Sequence, residues 1–406
     1  MHARWWPILV FGVVACGADH PAAPSVAGDA AVDGAQPLPL EDAVDAGAAE
    51  GGDASRTPSL HTPLPLLRYR GGAILAAPQI VTVTFPGDPL TPRLEAFGDA
   101  LLQTAWWKTV ASGYCAGTAC VRAGVGGGAG GGHVVFAAAP KGRYSATEVS
   151  ALVAARVLDG TFPPPAAGTI YALFFPAGVS LADGVRQSCV SFTGYHSFVR
   201  IAVEGGAPVP VAYAAVARCA PTESTTTTSA ARQILNAATD PYGDAYATDD
   251  EAWGAYFLTE AADLCVAEAA VNEGGFALPR AWSNPSAAAG HDPCAPLAVG
   301  EAYFNASPAG GLVSLAPGES ATLEVQPFAD RATTDWALTV VDYDELAGSI
   351  PTLALSLDEK MVNDGTKVKL TVTLVNPPPE RGFGLYALVS RRGNTVHYWP
   401  GRILPK

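Results

Sequence analysis

The order in which short β-runs and helical runs follow one another constrains this chain most. From Leu64 onward they alternate. IVTVTF (Ile80 to Phe85) is short and β-branched, as a buried strand is. Thr91 to Trp107 then sets Leu94, Phe97, Leu101 and Leu102 at helical spacing behind Pro92, which predicts one helix. HVVFAA at His133, a helix over Ser145 to Val157, TIYALFF from Thr169, VRIAVE at Arg200 and VAYAAVA before Cys219 continue the pattern. Alternation of this kind predicts an α/β or α+β core. Beyond about Val299 only β-rich runs remain: ATLEVQPF, WALTVV, TLALSL, KVKLTVTLV and GLYALVS, with turn sequences APGES and VNDGT between them. These predict an all-β C-terminal domain, an Ig-like sandwich.

Nothing before Leu64 can add to either core. Gly17 to Leu60 holds no Phe, Trp or Tyr and is dominated by Ala, Gly, Pro and Asp. Eight acidic residues there face the single Arg56, so half of the chain's net charge of -14 sits in this stretch. It predicts an acidic, disordered tether over 16–62. Ahead of it, MHARWWPILVFGVVACGAD has one Arg, an apolar run too short to span a bilayer, and small residues ending at Cys16. That is the layout of a secretory signal peptide over 1–15. Val13-Val14-Ala15-Cys16 resembles a bacterial lipobox, which implies lipidation of Cys16. Gly17 and Ala18 follow it in place of an Asp, which implies the outer membrane of a Gram-negative bacterium. The expected partner is therefore a membrane, reached through the lipid. The acidic balance, 38 Asp and Glu against 24 Lys and Arg, excludes nucleic acid as a partner.

With Cys16 assigned to lipid, Cys115, Cys120, Cys189, Cys219, Cys265 and Cys294 remain, an even six in an exported chain. Fifteen pairings are open. Joining sequence neighbours is the simplest: Cys115–Cys120, Cys189–Cys219 and Cys265–Cys294. No CxxC pair or finger-spaced His accompanies them, so disulfides are expected in preference to a zinc site. The run GVGGGAGGG (Gly124 to Gly132) lacks the Lys-Ser/Thr of a phosphate loop and reads as a flexible connection.

Several ordered pieces between residues 64 and 297 resemble one family. They are YRGGAIL (Tyr69 to Leu75), AWWKTV (Ala105 to Val110), SCVSFTGYHS (Ser188 to Ser197), YAAVARC (Tyr213 to Cys219), NAATDP (Asn236 to Pro241), TEAADLC (Thr259 to Cys265), WSN (Trp282 to Asn284) and GHDPC (Gly290 to Cys294). The family is that of the secreted EXORDIUM or phosphate-induced proteins of plants, with bacterial relatives that carry a metallopeptidase motif. The resemblance implies a metallopeptidase-like domain over 63–297, followed by the sandwich over 298–406. In the relatives a pattern like SHELxEAxTDP offers a His and a Glu one helical turn apart to zinc, with a second Glu as proton acceptor. Registered on AATDP, this chain has Arg232, Gln233 and Asn236 at those three positions. Arg has no lone pair to give a metal, and Gln cannot take and return a proton.

Zinc is therefore expected to be lost, and no catalytic residue is expected at Arg232, Gln233 or Asn236. Asp240, Glu260, Asp263 and His196 form a remnant site, with Arg232 expected to pair with Glu260 or Asp263 where the metal would sit. SAARQILNAATDP also reads as a plain core helix, since Ala230, Ile234, Leu235 and Ala238 make an apolar stripe. Asp240, Asp244, Asp249, Asp250 and Glu251 offer hard oxygens to Ca²⁺, without EF-hand spacing. His133 and His291 offer less than His196: one begins a strand and the other sits in a closing loop. The expected function is non-catalytic: binding of a protein or glycan ligand, or cell-envelope architecture, by a degenerate peptidase-like domain. Two alternatives stand beside it. One is a metal-dependent hydrolase built on Asp240, Glu260, Asp263 and His196; the other is adhesin-like binding through the sandwich.

Overall fold

The computed structural model describes residues 59–122, 132–202, 207–220, 222–297, 300–378 and 381–406. Cys16, most of the tether and the Gly-rich run up to residue 131 lie outside the described residues. The chain is mixed α/β and rich in strands.

The first sheet has five strands: β1 (Gln79–Thr84), β2 (Gly132–Val135), β3 (Thr169–Phe175), β4 (Gly194–Ile201) and β5 (Val209–Ala217), in the order β4-β5-β3-β1-β2. All neighbours are parallel except β4, which runs antiparallel to β5 and forms an edge. TIYALFF is buried along its whole length, as a central strand covered on both faces must be. Each face has its own core. Ile80, Ala172, Phe174 and Ala214 look one way, and Val83, Tyr171, Leu173 and Tyr213 the other, as the two-residue period of a strand requires.

The helix expected over Thr91 to Trp107 is two helices, α1 (Thr91–Leu101) and α2 (Ala105–Val110). Thr104 makes the break: its hydroxyl donates to the Leu101 carbonyl at 2.6 Å and accepts the Trp107 N–H at 3.0 Å. On the opposite face lies α3 (Ala146–Leu158), started by a capping box between Ser145 and Glu148. Two more helices shape the region below: α4 (Glu223–Thr239) and the shorter α5 (Glu251–Phe257). From Ser229 to Thr239 every residue of α4 is buried, so the apolar stripe is real but the polar positions are inside as well.

The C-terminal part holds two sheets. One has β6 (Phe304–Ala309), β8 (Ser320–Ala329), β10 (Leu353–Leu357) and β12 (Val368–Leu374), in the order β6-β8-β12-β10. The other has β7 (Val313–Leu315), β9 (Trp336–Asp342), β11 (Met361–Val362), β13 (Gly384–Arg392) and β14 (Thr395–Pro405), in the order β7-β14-β13-β9-β11. Val325 and Leu370 of the first and Trp336, Leu388 and Ile403 of the second belong to one core, so the sheets are stacked. The expectation that helix ends near Val299 has one exception, a single turn at Tyr343–Leu346.

The two parts share that core. Trp253 of α5 lies 5.2 Å from Trp282 and 5.6 Å from Trp399 on β14, edge to face in both cases. Residues 59 to 62, expected to belong to the tether, are fixed on the sandwich. The Ser59 N–H donates to Asp364, Thr62 bonds Ser307 and Pro308, and the His61 ring stacks 3.7 Å from Phe328. Their backbone polar groups find partners there, which an acidic, apolar-poor composition does not signal.

Candidate functional site

A buried helix must satisfy its polar side chains internally, and Arg232 and Asn236 of α4 both bond one segment. Arg232 donates through Nε to Asp263 Oδ1 at 2.7 Å, and Asn236 Nδ2 donates to the same oxygen at 3.0 Å. Asn236 also accepts the Ala262 N–H at 2.9 Å, so its one amide grips the segment from both ends. Arg232 is 6% exposed and Asp263 3%, which makes the pair a desolvated one. One of the two partners expected for Arg232 is therefore present, Asp263.

Glu260 takes the other cation. His196, on edge strand β4, reaches Glu260 through Nε2 at 2.8 and 3.0 Å to the two carboxylate oxygens. Burial opposes the imidazolium, but Glu260, with Asp263 and Asp240 beyond it, raises the His196 pKa above the ordinary value. His196 Nδ1 is sealed from solvent with no partner among the described residues. Ser197 cannot join it, because the next residue of a strand faces the other way, here toward Tyr213. Asp240 caps the turn after α4 by accepting the Ala245 N–H at 2.8 Å, and burial pushes its carboxyl up.

The segment carrying Glu260 and Asp263 is held in an unusual path. Leu258, which ends α5, has φ 75° and ψ -178°, a region that only glycine occupies freely. It is pinned on the far side by the Thr248 N–H to the Thr259 carbonyl and the Trp282 N–H to the Ala261 carbonyl. Cys265 then continues into its disulfide with Cys294. The other non-glycine residue at positive φ among the described residues is Cys189, at 65°. It is bridged to Cys219 on the loop that follows Asp183 and Arg186. The third disulfide joins Cys115 and Cys120.

Between these walls opens a pocket of about 160 Å³, lined by His196, Arg232, Gln233, Glu260 and Asp263, with Asp183, Arg186, Tyr195 and Leu258 around them. The sequence brought Arg232, Gln233, Glu260, Asp263 and His196 to attention, and the fold brings all five to this one pocket. Asp240 and Asn236 stand behind it. Sequence reasoning missed Asp183, Arg186 and Leu258, since nothing local marks them. Gly194 carries a signal that went unread: a Cβ there would lie 2.8 Å from the Ala215 carbonyl and 3.3 Å from Gln233 Cγ, so only glycine lets β4 approach α4 this closely.

The donor set does not fit a metal. Among the described residues no group of three or more His, Cys, Asp or Glu is placed to hold one, Asp240, Glu260, Asp263 and His196 included. The calcium set disperses too. Asp249 pairs with Arg68 and Arg70, Asp250 caps α5, and Glu251 meets Arg402. His133 pairs with Asp99, and His291 with Asp330, both away from the pocket.

Neither a protein-family model nor a curated protein sequence matches the chain. Parts of it are similar to solved structures. A FixG-related protein from Vibrio parahaemolyticus is 8% identical over 26% of this chain and 96% of that one, with a TM-score of 0.18. A chimeric titin Z1Z2 functionalised with a KLER exogenous peptide from decorin is 19% identical over 25% and 48%, at 0.17. The titin M3 domain is 11% identical over 26% and 99%, at 0.16. Scores this low carry no argument about fold or function.

Proposed function

We propose that this is an exported binding protein in which a degenerate peptidase-like domain holds an extended peptide without cutting it, joined to an Ig-like sandwich. The observation that carries the reading is the Arg232–Asp263 contact at 2.7 Å. A fixed guanidinium occupies the place where the family resemblance expects a metal, and it neutralises the carboxylate that would otherwise complete a metal shell. The pocket opens beside Gly194, Tyr195 and His196, at the start of β4. Among the described residues that strand has one neighbour in its sheet, so a peptide can add along its other side and hydrogen-bond through its own backbone.

Export is supported by the three disulfides, which suit an oxidising compartment. No helix among the described residues is long and apolar enough to cross a membrane. Attachment to the outer membrane of a Gram-negative bacterium through lipidated Cys16 completes the proposal. The test is to incubate the purified protein with a random peptide pool and excess zinc, then follow retention and cleavage together. Retention without cleavage, and zinc well below one equivalent per chain, are expected. Cleavage that a chelator abolishes would overturn the reading.

A further inference from the structure

The junction between the α/β part and the sandwich has a charged centre beside its aromatic contacts. His397, on β14 of the sandwich, is 4% exposed, and its Nδ1 donates to Glu268 of the α/β part at 3.1 Å. Asp292, also from the α/β part, is 8% exposed and lines the same two small cavities as His397. It accepts the Cys294 N–H at 2.9 Å, while the Glu268 N–H donates to the Cys265 carbonyl at 3.0 Å. The Cys265–Cys294 disulfide thus staples the two carboxylate-bearing segments into one unit. The sandwich presents a single histidine to that unit.

The other charges near the ring have partners of their own. Arg280 reaches Asp292 at 3.4 Å and Glu301 at 3.6 Å, and its charge opposes a second one on His397. Asp330 is taken by Arg331 at 3.3 Å and by His291 at 3.2 Å. Arg392 lies over the Phe304 ring, which packs on His397, and interacts with Glu301. Burial keeps the phenols of Tyr303 and Tyr398 neutral. Glu268 and Asp292 therefore share one guanidinium between them, and His397 is the group that can bring the second positive charge.

Two titrations act in the same direction. Burial opposes the imidazolium, but Glu268 and Asp292 raise the His397 pKa above the ordinary value. Burial lifts the Asp292 carboxyl to about 6. Each group thus titrates higher inside the junction than in water. Each supports the closed junction fully below its ordinary value and loses that support as pH rises through the raised one. The two cavities, of about 20 and 10 Å³, are too small for a ligand, and the larger has room for one water.

We infer that this junction is a pH-sensitive latch: His397 of the sandwich, held as a cation by Glu268 and Asp292, fastens the two parts in mild acid and lets go as the medium turns alkaline. Trp253, Trp282 and Trp399 keep the parts associated, so the release is a local opening at the cavities. The inference does not depend on the peptide-binding reading.

The Cys265–Cys294 bridge serves as the probe, because both cysteines line the larger cavity and are at most 5% exposed. The purified full chain is treated with a water-soluble phosphine between pH 5.5 and 8.5, and the freed thiols are alkylated and mapped by mass spectrometry. The reduction rate of this bridge is divided by that of Cys115–Cys120, which lines neither cavity, so the pH dependence of the reductant cancels. The ratio is expected to rise roughly tenfold across this range. In His397→Gln and Glu268→Gln it starts high at pH 5.5 and rises less. The profile of the parent needs no variant: a ratio that stays flat or falls with pH overturns the inference. A rise of parental size that persists in both variants overturns it as well.

Discussion

Replacing Asp263 by Ala tests the centre of the site directly. In the folded protein the Arg232 guanidinium loses its 2.7 Å carboxylate partner, and Asn236 loses a 3.0 Å bond to the same oxygen. Asp263 is 3% and Arg232 6% exposed, so water reaches the lost contact only from the pocket side. Breaking a buried pair by removing one member costs about 3–5 kcal/mol, and the Asn236 bond adds about 1 kcal/mol. Removing both charges is different. Arg232→Met with Asp263→Leu restores packing without a stranded ion, and the double variant is expected within about 1–2 kcal/mol of the parent. Urea unfolding of the three proteins, with disulfides intact, reads these energies as shifts in midpoint at constant slope. A cost below about 1 kcal/mol for Asp263→Ala, or a double variant no better than the single, would refute the view of this pair as a desolvated lock.

Other outcomes follow from the same geometry. His196 has a raised folded pKa, so its pair with Glu260 contributes stability that is complete below the unfolded value of about 6.5 and is lost as pH rises through the folded value. Thermal scans should therefore show parent and His196→Gln differing most in mild acid and converging in alkali; a gap that widens with pH would contradict this. Leu258→Gly relieves the backbone at φ 75° and is expected to gain up to about 1 kcal/mol, after the extra chain entropy of glycine is offset. Leu258→Val should instead lose stability, because β-branched residues tolerate positive φ worst. Gly194→Ala drives a Cβ to 2.8 Å from the Ala215 carbonyl, and the overpacking should cost about 1–3 kcal/mol and weaken peptide retention. Replacing Cys265 and Cys294 together by Ala opens a link spanning 29 residues and should cost about 3–4 kcal/mol in chemical denaturation.

Much of the core was readable because composition and burial coincide. TIYALFF is almost wholly apolar, IVTVTF has only Thr82 and Thr84 as polar side chains and both are buried, and both runs are central strands. The site was readable through order along the chain: the resemblance drew attention to α4 and to Glu260 and Asp263, and the fold set them together. What hid from the sequence was geometry without composition. TVHYWPGRILP has a Pro and a Gly in mid-run and reads as a broken segment, yet it is β14, the longest strand of its sheet. Pro400 is tolerated because β7 pairs only with residues 403 to 405, so the outer side of the strand has no ladder at that point. Gly401 is required because a Cβ would lie 2.3 Å from the Tyr386 ring. Leu258 looks like an ordinary helix-end residue, since strain imposed from outside leaves no mark on the residue that bears it. The break at Thr104 was missed because a continuing helical spacing outweighed one capping hydroxyl.

The docking of residues 59 to 62 decides how the protein would respond to being pulled. If the chain is tethered at its N-terminal end, tension entering at Ser59 is met first by the bonds to Asp364, Ser307 and Pro308 and by the His61 stack on Phe328. These contacts lie on β6, on β8 and in the turn before β12, so the load passes into the stacked sheets before it can reach α4. Shear on a surface-bound protein of this build would strain the sandwich while the pocket kept its shape.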